Sequence, residues 1–176
     1  MKFIETPLRD AYIIELEPLS DERGFFARSW CQKEMLDKGL NTDMVQCNVS
    51  YNKLAGTLRG MHYQDSPHEE IKLVRCTNGS IYDVIIDLRP DSPTFKKWFG
   101  VQLSRQNLKM LYIPKLFAHG FLTLEDDTEV FYQMSEFYYP ECAKGIRWND
   151  TLFNIEWPED VCTISDKDQT YQDFVI

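Results

Sequence analysis

The sequence predicts an all-β protein, for which a double-sheet jelly roll with short peripheral helices is the simplest architecture. Apolar and β-branched segments recur at short intervals along the chain, and turns rich in glycine, proline and aspartate separate them. Only residues 32–40 have a convincing helical pattern, which closes at Gly39. Closely spaced strands with almost no helix are typical of antiparallel sandwiches and barrels, and the jelly roll also creates a central pocket.

The expected elements follow one another without a break. Strands are predicted at residues 11–16, 44–49, 57–63, 71–76, 80–88, 98–103, 110–113, 120–124, 129–134 and 145–148. Turn residues occupy 21–24, 78–79, 90–93, 125–127 and 139–141. No internal repeat, low-complexity tract or linker interrupts this series, so a single domain over residues 1–176 is expected.

Composition excludes several classes of protein. The 19 basic and 28 acidic residues give a formal charge of −9, and such a surface repels nucleic acid and anionic membranes. Purely apolar stretches are short, and residues 1–5 lack the apolar core of a signal peptide. The five cysteines are widely spaced without a CxxC pair, which is typical of reduced thiols. A cytoplasmic protein with no nucleic-acid or membrane partner is therefore expected.

The segment 56–64 places a cation and an imidazole in one strand. Side chains alternate between the two faces of a strand, so Arg59 and His62 differ in parity. Both enter one cavity only if the backbone bulges near Gly60. By itself, a strand histidine is more often packed or at the surface than catalytic.

Two further charged residues fall on apolar strand faces. Lys72 shares the parity of the apolar positions in its strand, so its ammonium either reaches past a strand edge or faces a polar cavity. Asp83 likewise shares a face with apolar neighbours, and a buried aspartate needs a buried partner. The candidate partners are His62, His119, Arg59 and Lys72.

Two other residues have an ordinary structural interpretation and a functional one. His119 stands at the entry to an apolar strand, where a capped turn histidine is plausible. Tyr132 fits a core aromatic whose hydroxyl reaches the rim of the pocket. Only their combination with the charged strand residues favours a catalytic site.

The spacing around His62 resembles the first metal motif of the cupin superfamily, which is G-x5-H-x-H followed by an acid and a glycine. Gly56 and His62 keep the first interval, whereas Gln64 replaces the second histidine and Lys72 stands where the carboxylate ligand belongs. A neutral amide and a cation reduce both the charge and the coordination number of the site. We therefore expect a cupin-like jelly roll without a metal, in which Glu70 is the remaining nearby carboxylate.

Short motifs spread over almost the whole chain occur in a fixed order. They are DERGFF at 21–26, LRGMHYQ at 58–64, KLVRC at 72–76, DV at 83–84, SPTF at 92–95, IP at 113–114, FAHGF at 117–121, WND at 148–150 and WP at 157–158. In these motifs the chain resembles the dTDP-4-dehydrorhamnose 3,5-epimerase family. So many motifs in one order do not match by chance.

This resemblance implies an activity and a set of site residues. Members invert carbons 3 and 5 of a nucleotide-activated 4-keto-6-deoxyhexose without a cofactor, in bacterial deoxysugar and O-antigen synthesis. The resemblance assigns the general base to His62 and its partner to Asp168. It assigns the general acid to Tyr132 and the cation beside the ketone to Lys72. It places substrate contacts at Arg23, Phe26, Arg28, Gln46, Asn48, Arg59, Asp83, His119 and Tyr138. It also implies a homodimer in which an N-terminal strand of one subunit completes the partner's pocket.

The chain departs from the family pattern at two positions. Arg28 stands where the family commonly has a glutamate that contacts thymine, and a donor-only side chain cannot accept a hydrogen bond. Cytosine or another base is then an alternative to thymine, as is a surface position for Arg28. Leu116 replaces a glycine before the FAHGF motif, and because leucine avoids positive φ, that loop is expected to bend differently.

Four functions therefore remain open at this point. The main expectation is double inversion of the dTDP sugar. The alternatives are an epimerase of one carbon, acting on a CDP-linked or other nucleotide sugar, and a 3,4-ketoisomerase. A sugar-binding cupin without turnover belongs to a different class, and the presence of all four catalytic positions argues against it.

Overall fold

A computed structural model describes residues 1–175 as two β-sheets with two short helices, α1 (Gln32–Asp37) and α2 (Asp166–Gln169). The strands assigned within these residues are β1 (Lys2–Glu5), β2 (Tyr12–Glu15), β3 (Leu19–Asp21), β4 (Gly24–Phe26), β5 (Gln46–Asn52), β6 (Thr57–Gln64), β7 (Lys72–Asn78), β8 (Ser80–Asp87), β9 (Trp98–Ser104), β10 (Lys109–Ile113), β11 (Phe117–Thr123), β12 (Thr128–Met134), β13 (Ala143–Gly145) and β14 (Thr163–Ile164).

The strands form two six-stranded sheets and a separate hairpin. Sheet I has the order β1-β2-β10-β7-β12-β5. Sheet II has the order β13-β6-β11-β8-β9, with β14 added parallel to β6. The other pairs within the two sheets are antiparallel, and the hairpin β3–β4 belongs to neither sheet. This arrangement confirms the prediction of an all-β, double-sheet jelly roll with short peripheral helices.

The core lies between the two sheets. Val74, Leu111 and Val130 of sheet I pack in one buried cluster with Ile81 and Ile85 of sheet II. Each of these side chains is at most 1% exposed, and burying a residue of this size stabilises the fold by about 1.5–3 kcal/mol. The alternation read from the sequence is therefore correct in β7 and β8, where Val74 shares the inward face with Lys72, and Ile81 and Ile85 share it with Asp83.

Both outer sheet faces are also covered. Met35 of α1 packs on sheet I against Leu73 and Met110. The segment that follows β13 covers sheet II, where Ile146 and Phe153 pack in a third apolar cluster. This second cover places the C-terminal part of the chain beside β6.

The elements predicted from the sequence differ from those of the structure in their strands and in one helix end. Nine of the ten expected strands are found with shifted ends, whereas the strand expected at 145–148 shares only Gly145 with β13. The short strands β1, β3, β4 and β14 were missed. The expected helix 32–40 ends at Asp37, although Gly39 has the positive φ of +75° that a helix terminator needs. Strands of two to four residues at an edge or in a hairpin carry too little periodicity to be read from sequence.

The predicted bulge in β6 is present. His62 pairs with His119 of β11, and Arg59 pairs with Phe121, so three steps on β6 oppose two steps on β11. Gly60 adopts a φ of +129°, which a residue with a Cβ rarely reaches. The bulge brings Arg59 and His62 to the same side of the sheet.

The expectation for Leu116 was wrong. This leucine adopts the left-handed conformation itself, with a φ of +58°. Its carbonyl accepts a hydrogen bond from the Leu88 N–H at 3.0 Å, so the loop closes as it would with glycine. The positive φ costs about 1 kcal/mol for a leucine, which the surrounding contacts offset.

Neither helix assigned within residues 1–175 has the length and apolar character needed to cross a membrane.

We predict that Gly60→Ala lowers the free energy of unfolding by about 3 kcal/mol or more. A Cβ at Gly60 would lie 2.5 Å from Gly120 Cα and 2.9 Å from the His119 carbonyl oxygen, and the φ of +129° adds strain. Gly39→Ala is the matched control, because Gly39 also has a positive φ, of +75°, but no atom lies within 4 Å of its ideal Cβ. Urea unfolding should give a cost of only about 1 kcal/mol for the control. Equal costs for the two variants would contradict the close-approach argument.

Candidate active site

A cavity of about 590 Å³ opens between the two sheets. It holds eight of the residues expected in the site, and these are Gln46, Asn48, Arg59, His62, Lys72, His119, Tyr132 and Tyr138. Sheet I supplies Lys72 and Tyr132, whereas sheet II supplies His62. A ligand in the cavity would therefore be approached from both sheets.

His62 is oriented by Asp168. The Nε2 atom of His62 lies 2.7 Å from Asp168 Oδ1, and the second carboxylate oxygen accepts the Gly60 N–H at 3.1 Å. Asp168 is only 5% exposed, and burial alone would raise its pKa; hydrogen bonds from His62 and Gly60 outweigh that effect and lower the pKa. An ionised Asp168 fixes the tautomer of the imidazole and stabilises its charged form.

The path of the chain explains how Asp168 reaches His62. β14 pairs with the start of β6, with Ile164 beside Leu58. The next residue, Ser165, caps α2 by accepting the Asp168 N–H at 3.1 Å. This single turn of helix aims Asp168 at the bulge, although its sequence alone suggested only a solvated acid.

Lys72 faces the cavity, which is the second of the two alternatives that its parity left open. Its ammonium lies 2.8 Å from Glu70 Oε1 and donates to the His62 carbonyl at 3.3 Å. Both side chains of the ion pair are nearly buried, with 10% of Lys72 and 4% of Glu70 exposed. A desolvated cation at this point is suited to stabilising negative charge on a ligand.

The second buried acid pairs with the second histidine. His119 Nε2 lies 2.7 Å from Asp83 Oδ1, and Asp83 is fully buried. Of the candidate partners of Asp83, His119 is therefore the correct one. Asp83 itself does not line the cavity, so it acts on the site by orienting His119.

Arg59 and Tyr132 complete the polar lining. Arg59 Nε donates to Asn52 Oδ1 at 2.6 Å, which holds the guanidinium along the cavity wall. Tyr132 is half-buried, and burial raises the pKa of its phenol. The phenol therefore keeps its proton at neutral pH and is available as a donor.

A second group of polar residues lies along strand β5, at the edge of sheet I. Gln46 Nε2 donates to Asn48 Oδ1 at 3.3 Å, and Asn48 Nδ2 contacts the Met134 sulfur at 3.3 Å. Gln46 Oε1 in turn accepts the Tyr138 N–H at 3.2 Å. These contacts fix two amide side chains in the cavity wall, where they can donate to and accept from a ligand.

Besides Asp83, three expected substrate contacts lie outside this cavity. Arg23 and Phe26 belong to the exposed β3–β4 hairpin, and Arg23 pairs with Asp21. Arg28 forms an ion pair with Glu34 at 2.7 Å, and its side chain is 61% exposed. The cavity of one chain is therefore built without these residues.

The cavity is also lined by residues that the sequence analysis did not assign to the site. Among them are Tyr63, Lys144, Lys167 and Tyr171. The Tyr171 ring stands edge-on to the His62 ring, with centroids 5.8 Å apart. Lys167 was visible as the neighbour of Asp168 in the sequence, but only the fold of the C-terminal segment places it beside the cavity.

The residues at the cupin-like metal positions serve other purposes here. Gln64 donates to the carbonyls of His68 and Phe137, and its own carbonyl accepts the Tyr139 N–H. Glu70 is engaged by Lys72. Within residues 1–175, no group of three His, Cys, Asp or Glu side chains is placed to hold a metal ion.

We predict that Asp168→Asn destabilises the protein by about 1–3 kcal/mol at pH 7, because it replaces a charged acceptor of two hydrogen bonds. The folded-state pKa of Asp168 is lowered, so its stabilising effect is present above the unfolded pKa of about 3.9 and is lost as the pH falls through the folded pKa. In urea titrations between pH 7 and pH 3, the difference between the two proteins should therefore be constant above about pH 5 and should begin to shrink below about pH 4. A constant difference over this range would contradict the assigned ionisation.

Comparison with known proteins agrees with this geometry. The family model described as dTDP-4-dehydrorhamnose 3,5-epimerase matches residues 5–175. An enzyme of that description from Shigella flexneri is 45% identical over 176 residues, which cover 99% of this chain and 97% of the relative.

Solved structures give the same result. The epimerase from Bacillus anthracis, with TDP and PPi bound, superposes with a TM-score of 0.95 at 44% identity and covers 98% of this chain and 99% of its own. The Legionella pneumophila epimerase, in complex with dTDP-4-keto-L-rhamnose, gives a TM-score of 0.91 at 38% identity, with 98% and 92% covered. The chain therefore belongs to the dTDP-4-dehydrorhamnose 3,5-epimerase family, a family of nucleotide-sugar isomerases.

Proposed function

We propose that this chain converts dTDP-4-dehydro-6-deoxy-D-glucose into dTDP-4-dehydro-L-rhamnose by inverting carbons 3 and 5. The observation that carries the proposal is the convergence of an oriented histidine, a buried lysine and a half-buried tyrosine on one cavity. We place the reaction in the cytoplasm, in the synthesis of deoxysugars for surface polysaccharides such as O-antigen.

His62 acts as the general base. A hydrogen on carbon 3 or 5 is acidic only because its carbon neighbours the C4 ketone, so one base beside the ketone serves both carbons. Asp168 accepts the Nε2–H of His62, which leaves Nδ1 as the basic nitrogen. The C–H bond breaks, the proton goes to Nδ1, and the electron pair passes to the ketone oxygen.

Lys72 stabilises the enolate that results. Its ammonium is held in a nearly buried position, where a charge acts more strongly on a neighbouring oxyanion than it would in water. Because negative charge on the oxygen grows during proton removal, this interaction lowers the barrier rather than merely tightening binding.

Tyr132 acts as the general acid. It enters the cavity from sheet I, whereas His62 enters from sheet II, so the two groups address opposite faces of a sugar ring between them. The phenol donates its proton to the enolate carbon on the face opposite the base, and the configuration inverts. Solvent then restores the proton of Tyr132 and removes that of His62, so the reaction is an isomerisation with no other reactant.

The nucleotide is attracted by cations around the cavity despite the net charge of −9. Arg59, Lys144 and Lys167 line the cavity, and the nearby acids Glu70 and Asp168 already have partners. A diphosphate therefore meets a locally positive wall. Thymidine remains the proposed nucleoside, because the Bacillus anthracis relative holds TDP and the Legionella pneumophila relative holds dTDP-4-keto-L-rhamnose. Arg28, on which the cytosine alternative depended, pairs with Glu34.

We predict that His62→Ala abolishes incorporation of solvent deuterium at both carbons, with a loss in rate on the order of 100- to 10,000-fold. NMR in deuterated water with the 4-keto sugar nucleotide would follow each carbon separately, which also distinguishes double from single inversion and from a ketoisomerase. His68→Ala is the control, because His68 stacks on Tyr139 and does not line the cavity. Wild-type exchange in the His62 variant would remove this residue from the mechanism.

The exposed β3–β4 hairpin supports a homodimer with shared sites. Leu19, Phe25 and Phe26 are 74%, 57% and 72% exposed, an apolar surface that a lone subunit leaves in water. The same hairpin carries Arg23, which the family resemblance assigns to substrate binding. We therefore propose that the hairpin of one subunit reaches the cavity of its partner.

Mixing experiments test this arrangement. His62→Ala and Arg23→Ala homodimers should each be strongly impaired, because each lacks one component in both sites. After the two are unfolded together and refolded, half of the dimers should be mixed, and one of the two sites in each should carry both wild-type residues. We expect recovery of about a quarter of wild-type activity. No recovery, together with a dimeric mass in light scattering, would show that each subunit builds its site alone.

A further inference from the structure

The ion pair between Glu70 and Lys72 is not explained by the proposed reaction alone. An enolate needs a cation beside it, and a carboxylate in contact with that cation weakens its attraction for an oxyanion. Glu70 is nevertheless nearly buried in the cavity wall, only 2.8 Å from the ammonium. Burying a carboxylate here costs desolvation free energy, so we asked what its contacts do.

Glu70 connects the two sheets through its two oxygens. Oε1 contacts the ammonium of Lys72, which is the first residue of β7 in sheet I. Oε2 accepts the backbone N–H of Gln64, the last residue of β6 in sheet II, at 3.1 Å. Backbone N–H groups in a strand have fixed positions, so this second bond anchors the carboxylate and prevents it from turning with the lysine.

Two of the three donors of the Lys72 ammonium are thereby committed. One contacts Glu70, and one donates to the carbonyl of His62 at 3.3 Å. Among residues 1–175, the ammonium of Lys72 makes no other polar contact, so its third donor is left for a ligand. The carbonyl belongs to the base residue itself, so the cation is held at a set place relative to His62.

We propose that Glu70 is a positioning residue that aims the third donor of Lys72 at the substrate ketone. This inference rests on the proposed function, and it assigns Glu70 an effect through Lys72 rather than direct contact with the substrate. The carboxylate is suited to the task because it offers an acceptor on each oxygen. A glutamine has one acceptor and one donor, so it must leave either the ammonium or the Gln64 N–H facing a donor.

The test is a double-mutant cycle between positions 70 and 72. Glu70→Gln should lower kcat and deuterium incorporation about 10- to 100-fold. A misplaced ammonium loses its attraction for the developing enolate oxygen, and that attraction is strongest in the transition state. The affinity for dTDP should stay within about threefold, since the cations proposed to meet the diphosphate are Arg59, Lys144 and Lys167 rather than Lys72. In a Lys72→Met background the same substitution should change kcat less than about twofold, because its effect passes through the lysine.

Matched variants separate positioning from charge and from folding. Glu69→Gln removes the same charge one residue away and should keep wild-type kcat, since Glu69 does not line the cavity. Glu70→Asp keeps the charge and both acceptors but shortens the side chain, so it should also lower kcat with dTDP affinity unchanged. This second variant keeps the inference testable if Glu70→Gln folds poorly in thermal melts.

The outcomes separate the role of Glu70 from the role of Lys72. Unchanged or faster turnover in Glu70→Gln would overturn the positioning role, as would equal losses in the wild-type and Lys72→Met backgrounds. Failure of Lys72→Met to lower turnover would instead contradict the proposed role of Lys72. A loss confined to dTDP affinity would identify Glu70 as a binding residue and would overturn the inference as well.

Discussion

The bulge at Gly60 is the constraint on which the rest of the site depends. It shifts the register of β6 against β11, so Arg59 and His62 reach the same cavity despite their opposite parity. It also turns the Gly60 N–H toward Asp168, which accepts it at 3.1 Å. One local departure from a regular strand therefore sets the position of the histidine and supplies part of the environment that keeps its partner ionised.

Charge in the cavity is organised in pairs that link separate elements. The Glu70–Lys72 pair connects β6 with β7, the Asp83–His119 pair connects β8 with β11, and the Asp168–His62 pair connects α2 with β6. A buried charge without a partner would be strongly destabilising, whereas a paired one is restricted to a single geometry. The same contacts that make these charges tolerable therefore also fix their directions.

Sequence reasoning recovered most of the strands and the inward charges because alternation in a buried strand is strict. Lys72 and Asp83 were assigned to inner faces from parity alone, and both lie there. The partner of Asp83 could not be chosen from sequence, because pairing across strands depends on register. The family resemblance identified Asp168, yet its local sequence resembles any exposed acid, and only the parallel pairing of β14 with β6 explains its burial.

The remaining differences have equally local causes. Leu116 was expected to avoid positive φ, but a preference worth about 1 kcal/mol yields to the closure of a loop between strands. Glu70 shares the parity of Lys72, which indicates a side chain on the same face. It was considered only as a metal ligand, so its pairing with Lys72 was missed. The β3–β4 hairpin was missed because its apolar residues face solvent in a single chain, which is not how an amphipathic strand is recognised.

The position of Asp168 in the chain has a consequence for how the site depends on the fold. Strands β1 to β13 precede β14 and α2, and they include the strands that supply the lysine, the tyrosine and the histidine of the cavity. Asp168 comes only with α2, which the parallel pairing of β14 with β6 attaches to sheet II. Damage to one two-residue strand can therefore leave the cavity in place while it removes the partner that selects the tautomer of the imidazole.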